Sequence, residues 1–526
     1  MKVPLIVTEF LSRARTLYPD AIGAVCNNER LSYAELAERV DRFSSALVTR
    51  GIGKGDVVAY LSFNCHRLLE GYYAVPQTGA ILLPINIRLT SADINFILRD
   101  AGARAVVVDR ALAGLLKPAL RAAPEVRTIV LMGGDSASDC GLAGEDYEWV
   151  VSASPADFSS PDISEDDVAE LFYTSGTTAH PKGVALTHRN LYMHAFYALA
   201  GLWGYDDTCV QLHTIPLFHV NGWGTPHFVT LLGGRHVLLP KFDPDQVVAT
   251  IERERVTHVF LVPTMAAALL AAPSFASRNL SSLRRIKLGG AATPPSIVRA
   301  LSERLPDCRV TAGYGLSETS PILTTANRKA GLTLTPEADV LLRSTAGMPL
   351  PGVQIEILDE RNSPLPHDGQ SDGEICVRSN VVTAGYWRLP DETARAMTGG
   401  WFHTGDIGVM DRSGYVTIVD RKKDIIVTGG ENVASLEIEK AIYEHPAVFE
   451  CAVIALPDAH WGEIPAAIVV LKPGHKLDEP SLIAHCRHLL ANFKVPKSVR
   501  FVESLPKGGT GKILKGELRE QYAGYV

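Results

Sequence analysis

The sequence predicts an α/β protein with a large, multi-lobed N-terminal domain of parallel α/β lobes and a small β-rich lobe, followed by a smaller C-terminal α+β domain. Three observations carry this reading. The 526 residues exceed what one hydrophobic core holds, so roughly two to four domains or lobes are expected. Mostly apolar strand-like runs alternate with helix-spaced patterns up to about residue 310, as parallel sheets covered by helices require. Past about residue 345 the texture turns to short alternating strands, and from Asp424 helix and strand patterns restart over a stretch the size of a small domain.

Residues 34–50 carry Leu36, Val40, Phe43 and Leu47 at helical spacing, with Gly51 as a stop. Asp56-Val-Val-Ala-Tyr-Leu reads as a buried strand. Helical patterns near 64–77 and 91–100 alternate with strands at 104–109 and 128–132. Residues 133–163, rich in Gly, Ser, Asp and Pro, read as a surface loop. Alternation resumes through 191–310. Turn signals at Gly352, Asp359–Asn362, Asp372-Gly373 and Ser413-Gly414 punctuate the β-rich lobe. The tail is predicted to hold helices near 435–444 and 481–491 and strands near 451–455 and 465–471.

A formal charge of −7 argues against nucleic acid as a main partner, because phosphate contacts need a basic face. The 8 cysteines are scattered without a C-x-x-C or a His/Cys cluster, which suits reduced thiols better than a disulfide framework or a zinc site. No apolar run approaches transmembrane length, Glu9, Arg13 and Arg15 do not suit a signal peptide, and Gly-Tyr-Val is not a peroxisomal signal. The expectation is a cytoplasmic protein, monomer or homodimer, acting on small molecules.

The stretch with most chemistry is Leu171 to Asn190. An apolar entry (Leu171, Phe172, Tyr173) runs into Thr174, Ser175, Gly176, Thr177 and Thr178, then His180, Pro181 and Lys182. Hydroxyl donors, a glycine that lets backbone N–H groups point inward, and a mobile positive charge are what phosphates need. It is a near miss to the P-loop: Pro181 replaces the second glycine, and Gly183 stands where a hydroxyl should hold magnesium. Gly183-Val-Ala-Leu-Thr reads as a second strand, so no helix N-terminus faces the phosphates.

Other stretches offer less alone. In Gly313-Tyr-Gly-Leu-Ser-Glu-Thr, Tyr314 gives a flat face for a base, Gly313 and Gly315 permit close approach, Ser317 offers a hydroxyl and Glu318 a hard oxygen for Mg²⁺. Taken alone, such a stretch is more often a turn with a helix cap, Ser317 as N-cap and Glu318 and Thr319 opening a helix. His219 lies among apolar groups in 216–224, where a core histidine is the ordinary reading. Gly289-Gly-Ala-Ala (289–292) reads as a helix-packing or turn segment, Asp420-Arg-Lys-Lys-Asp as solvated surface, and the basic glycine-rich loop 505–515 likewise.

Taken in order over about residues 30–515, these stretches resemble the acyl-adenylate-forming enzymes: acyl-CoA synthetases, aryl-CoA ligases, luciferases and adenylation domains. Ser317 stands where the family usually has threonine, which keeps the hydroxyl. The resemblance implies a 1–420 AMP-binding domain, a hinge at 421–423 with Lys423 as pivot, and a mobile 424–526 domain. It places Lys512 as the adenylation lysine, with Lys182, Ser317, Glu318 (with Mg²⁺) and His219 at the reacting groups. Thr174 to Thr178, Gly290, Ala291, Gly313, Tyr314, Gly315, Asp406 and Arg421 would hold the nucleotide, Asp406 and Arg421 at the ribose. Val220, Gly222, Trp223, Val262, Ala291, Gly315 and Leu316 would line an acyl pocket, Trp223 matching a position that gates the acyl tunnel in some fatty-acyl members. Gly429 and Gly430 would meet a pantetheine arm. The implied activity is an AMP-forming carboxylate:CoA ligase using ATP and CoA, on a medium-to-long fatty or an aryl acid, with an amide ligase as the alternative. A kinase-like ATPase is disfavoured by the broken P-loop pattern, and a dead nucleotide-binding regulator by the presence of both Lys512 and Glu318.

Overall fold

The computed structural model describes residues 1–121, 123–134, 140–174, 181–458, 460–508 and 512–523. Two large sheets form the first 350 residues. One has seven strands, with Ile22–Cys26, Val210–His213, Arg235–Leu238, His258–Leu261, Arg285–Leu288 and Arg309–Ala312 parallel and Glu29–Ser32 antiparallel at its edge. The other has eight strands around Val57–Leu61, Ile81–Pro84, Ala103–Asp109 and Thr128–Met132, all parallel and nearly all apolar. Strands buried on both faces read as continuous apolar runs, which is why these were legible.

The helix between them, Tyr33–Thr49, starts at a capping box in which Ser32 and Glu35 satisfy each other's backbone donors. It buries Leu36, Val40, Phe43 and Leu47 and stops before Gly51, whose φ is +75°. One expectation needs correcting. Residues 133–163 are not all surface loop: Tyr147–Ser152 is helical, capped by Asp146, and Tyr147 is fully buried with its hydroxyl donating to Glu70 (2.7 Å). Polar composition hid it because its apolar face is only three residues wide.

The stretch 168–187 is an antiparallel hairpin at the edge of the eight-stranded sheet. Val168–Thr174 pairs with Lys182–Thr187 in a register that sets Thr174 opposite Lys182. Gly385–Tyr386 adds the last short strand, Tyr386 opposite Val184. The β-rich lobe is a four-stranded antiparallel sheet of Val353–Leu358, Gly373–Ser379, Phe402–Met410 and Val416–Arg421.

The tail sheet begins at Ile426 and is built on the long hairpin Val448–Asp458 and Gly462–Leu471, covered by Ser435–Tyr443 and Glu479–Leu489. Among the described residues no helix is long and apolar enough to cross a membrane. A buried network ties the tail to the strand before it. Helix Ser435–Tyr443 has alanine at its N-cap, so it cannot cap itself; Asp420 accepts from Ser435 N (2.5 Å) and Oγ (2.7 Å) instead. Lys515 donates to Ser435 Oγ (2.6 Å) and pairs with Glu439 (2.7 Å).

Asp420→Ala removes that external cap and should destabilise the tail by about 1 kcal/mol or more. Amide hydrogen exchange over 435–443 reads it directly. Unchanged protection there would show that the cap contributes nothing.

Candidate active site

The edge hairpin, the ends of the seven-stranded sheet, the β-rich lobe and the tail converge on one region. Lys182 opens the second hairpin strand and donates to Glu392 Oε2 (2.7 Å), with its ammonium 5.5 Å from the centre of the Tyr386 ring. The Tyr386 hydroxyl donates to Glu318 Oε1 (3.1 Å). One aromatic side chain therefore joins the hairpin lysine to the proposed magnesium carboxylate. Of the phosphate stretch, Ser175, Gly176, Thr177, Thr178 and His180 lie outside the described residues; Thr174 and Lys182 flank them in register.

After strand Arg309–Ala312 the chain turns at Gly313-Tyr314-Gly315. A side chain at Gly315 would sit 1.7 Å from the Pro321 carbonyl, and one at Gly313 would sit 2.7 Å from that of Thr324. Only glycine lets the 313–324 segment fold back on itself this closely. Residues 317–319 make a single 3₁₀ turn and no longer helix, so the helix-opening reading of Ser317 and Glu318 fails. Beneath the turn, Lys287 is buried and donates to Ala312 O (2.7 Å), and burial pulls its ammonium well below the usual lysine range.

Tyr314 donates its hydroxyl to Asp406 Oδ2 (2.6 Å), and Arg421 Nε lies 3.3 Å from Oδ1. Asp406 is 4% exposed, and burial raises its carboxyl while Arg421 and the Tyr314 hydroxyl oppose that rise. It sits opposite Arg421 in the sheet, so strand pairing alone brings the two together.

The tail contributes Lys512. Its loop is closed by Gly508 N donating to Lys512 O (2.8 Å), and Arg88 of the first domain donates to Gly508 O (2.9 Å). Lys512 Cε lies 3.5 Å from where a side chain at Gly290 would start. Burial, with Arg421 nearby, draws the Lys512 ammonium down to about 8, against Asp406 and Glu318, which favour its charge. Burial, then the Lys512 charge, lowers His219 to about 3, so His219 is a neutral imidazole here. Burial also raises Glu318 above the usual carboxylate range.

The tail's glycine turn is elsewhere. Gly429 (φ +59°) and Gly430 (φ +86°) cap the hairpin Ile426–Thr428 and Glu431–Val433, are exposed, and are fixed by Gly429 N donating to Trp461 O (2.8 Å). Lys423 is exposed, in a turn where Asp424 N donates to Arg421 O (2.8 Å).

The segment after His219 has an unusual backbone. Val220, Asn221, Gly222, Trp223 and Gly224 all have positive φ (33°, 44°, 52°, 64° and 83°). Each non-glycine residue held left-handed costs about 1–2 kcal/mol, so this turn must be held from outside. Trp223 is 7% exposed; its ring lies 3.2–3.3 Å from where side chains at Gly289 and Gly290 would start and 5.7 Å from the Phe260 ring. Val262 closes the same wall. A side chain at Gly222 would meet Leu217 and Thr225, so Gly222 turns away from that wall. Ala291 is exposed and Leu316 half-buried at the rim.

Sequence reasoning did not single out Tyr386, Glu392 or Lys287, and it read Asp420 as solvated surface, whereas Asp420 is 1% exposed. Glu392 is 210 residues from Lys182, and its only local signal is the first turn of a short helix, Pro390–Ala396.

Comparison with known proteins agrees with this geometry. The AMP-binding enzyme family profile matches residues 11–387, and the AMP-binding enzyme C-terminal domain matches 437–512. The chain is 37% identical to a 3-methylmercaptopropionyl-CoA ligase of Ruegeria pomeroyi, over 99% of this chain and 98% of that one. It is 36% identical to a long-chain-fatty-acid–CoA ligase of Thermus thermophilus, over 100% and 97% respectively. Among solved structures, the anthranilate CoA ligase AuaEII in complex with anthranoyl-AMP aligns with a TM-score of 0.89 and 26% identity, covering 99% of each chain. With its main and C-terminal domains both matched, and relatives above 30% identity along nearly its whole length, the chain belongs to the AMP-binding enzyme family.

Proposed function

We propose that the protein is an ATP-dependent carboxylic acid:CoA ligase that works through an acyl-AMP intermediate. The observation that carries this reading is Lys512: a tail lysine delivered among Asp406, Glu318, His219 and Gly290. In the first step a carboxylate oxygen attacks the α-phosphorus and pyrophosphate leaves. The barrier is mostly the charge gathering on phosphoryl oxygens, so positioned cations and donors do the work. Lys512 meets the α-phosphate side and Lys182 the leaving pyrophosphate, with hydroxyls from 174–178 and Ser317. Asp406 and Arg421 hold the ribose, and Tyr314 stacks on the base. Neutral His219 donates a hydrogen bond to the acid or the phosphate without adding charge.

Magnesium would enter with ATP. Glu318 fits it: a half-buried carboxylate, desolvated enough to rise in pKa, gains most from a divalent cation. Among the described residues no group of three or more His, Cys, Asp or Glu converges. A magnesium ion held by one carboxylate and substrate phosphates needs no such group. Its chemistry there would be to neutralise phosphate charge.

The acid is apolar, since Val220, Trp223, Val262 and Leu316 offer it no charge. Relatives at nearly equal identity are named for a short thioether acid and for long-chain fatty acids, so ancestry does not choose the length. Trp223 packed on Gly289 and Gly290 favours a compact acyl chain, and a longer fatty or aryl acid needs the indole displaced. In the second step the CoA thiol attacks the acyl carbonyl and AMP leaves. Lys512 and the exposed Gly429–Gly430 turn are 82 residues apart on one domain, so the tail rotates about Lys423 to exchange them.

Incubation with ATP, CoA and an acid panel should consume free thiol and release pyrophosphate and AMP. Consumption of an added amine with no loss of thiol would contradict the acceptor. Lys512→Ala should slow pyrophosphate release by about 10²–10³-fold while presynthesised acyl-AMP is still converted to thioester. Equal loss of both steps would remove Lys512 from its role.

The pH dependence has a definite sign. Lys512 is charged below about 8 and neutral above it, so kcat/KM for pyrophosphate release should fall as pH rises through about 8. The fall in kcat should come at higher pH, because bound phosphate favours the ammonium. In Lys512→Arg the fall near 8 should vanish; if it persists, another group causes it.

Proline at 423 locks one backbone angle near −65°. Lys423→Pro should therefore accumulate enzyme-bound acyl-AMP in a quenched single turnover with CoA present. Thioester formation at the parental rate would place the pivot elsewhere.

A further inference from the structure

Glu170 is a carboxylate with no solvent exposure, set in an apolar strand between Ala169 and Leu171. Both of its oxygens are used. Oε1 lies 2.6 Å from His227 Nε2, and Oε2 accepts from Asn221 Nδ2 (2.9 Å). The remaining side-chain atom of Asn221, Oδ1, accepts from Gly224 N (2.6 Å). A tie therefore runs from an interior strand of the eight-stranded sheet, where Glu170 pairs with Leu82 and Leu186, to Asn221 and Gly224 of the left-handed turn 220–224. His227 holds the carboxylate from the other side, wedged edge-on between Tyr72 and Tyr73.

The turn's own hydrogen bonds are few: Gly222 N to His219 O (3.1 Å), Gly224 N to Asn221 O (3.0 Å) and Thr225 Oγ1 to Gly222 O (2.9 Å). They close tight turns but do not oppose the steric preference of Val220, Asn221 and Trp223 for negative φ. The tie to Glu170 does, because Asn221 can reach it only while the turn keeps its hand. A buried carboxylate is costly unless every lone-pair partner stays in place, so the tie is stiff. What the turn carries is His219 at its start and the Trp223 indole near its end.

We propose that Glu170, acting through Asn221, is a positioning residue that holds Trp223 against Gly289–Gly290 and so sets the length of acyl chain the site accepts. This rests on the reading that the acid lies along that wall. Release of the tie lets 220–224 relax towards ordinary backbone angles, and the indole leaves its place. Longer chains then enter, while shorter ones lose the surface they pack against.

The test compares pyrophosphate release for the shortest and longest straight-chain acids that the parent accepts, in the intact protein. Asn221→Gly tolerates the positive φ but loses both side-chain bonds, and Glu170→Leu removes the anchor. Each should shift the long-to-short ratio of kcat/KM towards the long acid by about tenfold or more, with KM for ATP near the parental value. Glu170→Gln keeps an acceptor for Asn221 and should retain the parental ratio. If Glu170→Leu does not fold, Asn221→Gly carries the comparison alone. A parental ratio in folded Asn221→Gly overturns the proposal. So does an equal loss on both acids with a raised KM for ATP, the mark of a merely structural role, and so does a parent that accepts no straight-chain acid. Pyrophosphate release needs no CoA, so a parent that forms no thioester would count against the proposed function and leave this comparison intact.

Discussion

Asp406 is the group on which four separate parts of the chain depend. It stands in the β-rich lobe and accepts from Tyr314 of the seven-stranded sheet's loop. It pairs with Arg421 on the last strand before the tail, and its charge acts on Lys512 of the tail. A carboxylate at 4% exposure is stable there only if those partners arrive together. Burial of one anion thus does what no pairwise contact would: it couples lobe, loop, connecting strand and tail. The ribose oxygens of a nucleotide would find an acceptor already oriented by Tyr314 and Arg421.

Around that anion the rigid parts are rigid for steric reasons. Gly315 cannot carry a side chain against the Pro321 carbonyl, and Gly290 (φ +78°) sits between Trp223, Val262 and Lys512. Such close approach leaves little freedom for the loop that carries Ser317 and Glu318. The parts proposed to move are the tail, joined through the Asp420–Ser435–Lys515 network, and the indole of Trp223, carried on a turn of positive φ.

Much of this was legible in the sequence, for identifiable reasons. Buried parallel strands announce themselves as apolar runs, and the hairpin at 168–187 followed from a second strand where a P-loop would have a helix. Gly313-Tyr314-Gly315 is contiguous, so its chemistry survives being read as a string. Glu170, Glu392 and Tyr386 are single residues whose meaning is a partner far along the chain. A charge in an apolar strand gives no hint of which loop it ties down. Nothing in the sequence marks Asn221, because left-handed backbone at Val220 and Trp223 is against local preference and is imposed by the fold. The helix at 147–152 was hidden by its polar flanks. In each case tertiary contact overrode the local signal.

The pattern of ion pairs in the site also bears on the order of events. Lys182 is paired with Glu392, Arg421 with Asp406, Lys507 with Glu450 and Lys515 with Glu439. Among the described residues Lys512 has no carboxylate within ion-pair distance, and its lowered pKa is the cost of that position. An anion reaching both lysines competes with Glu392 for Lys182 but displaces no partner from Lys512. The strongest new interaction would therefore form at the lysine on the domain that we propose rotates away later. In the proposed reaction, loss of pyrophosphate would reduce the anionic charge near Lys512, leaving the hydrogen bonds of Asp420 and Arg88 to retain the tail. In the proposed two-step reaction, departure of the product anion would thus loosen the tail, and the first half-reaction would prepare the rotation we propose for the second.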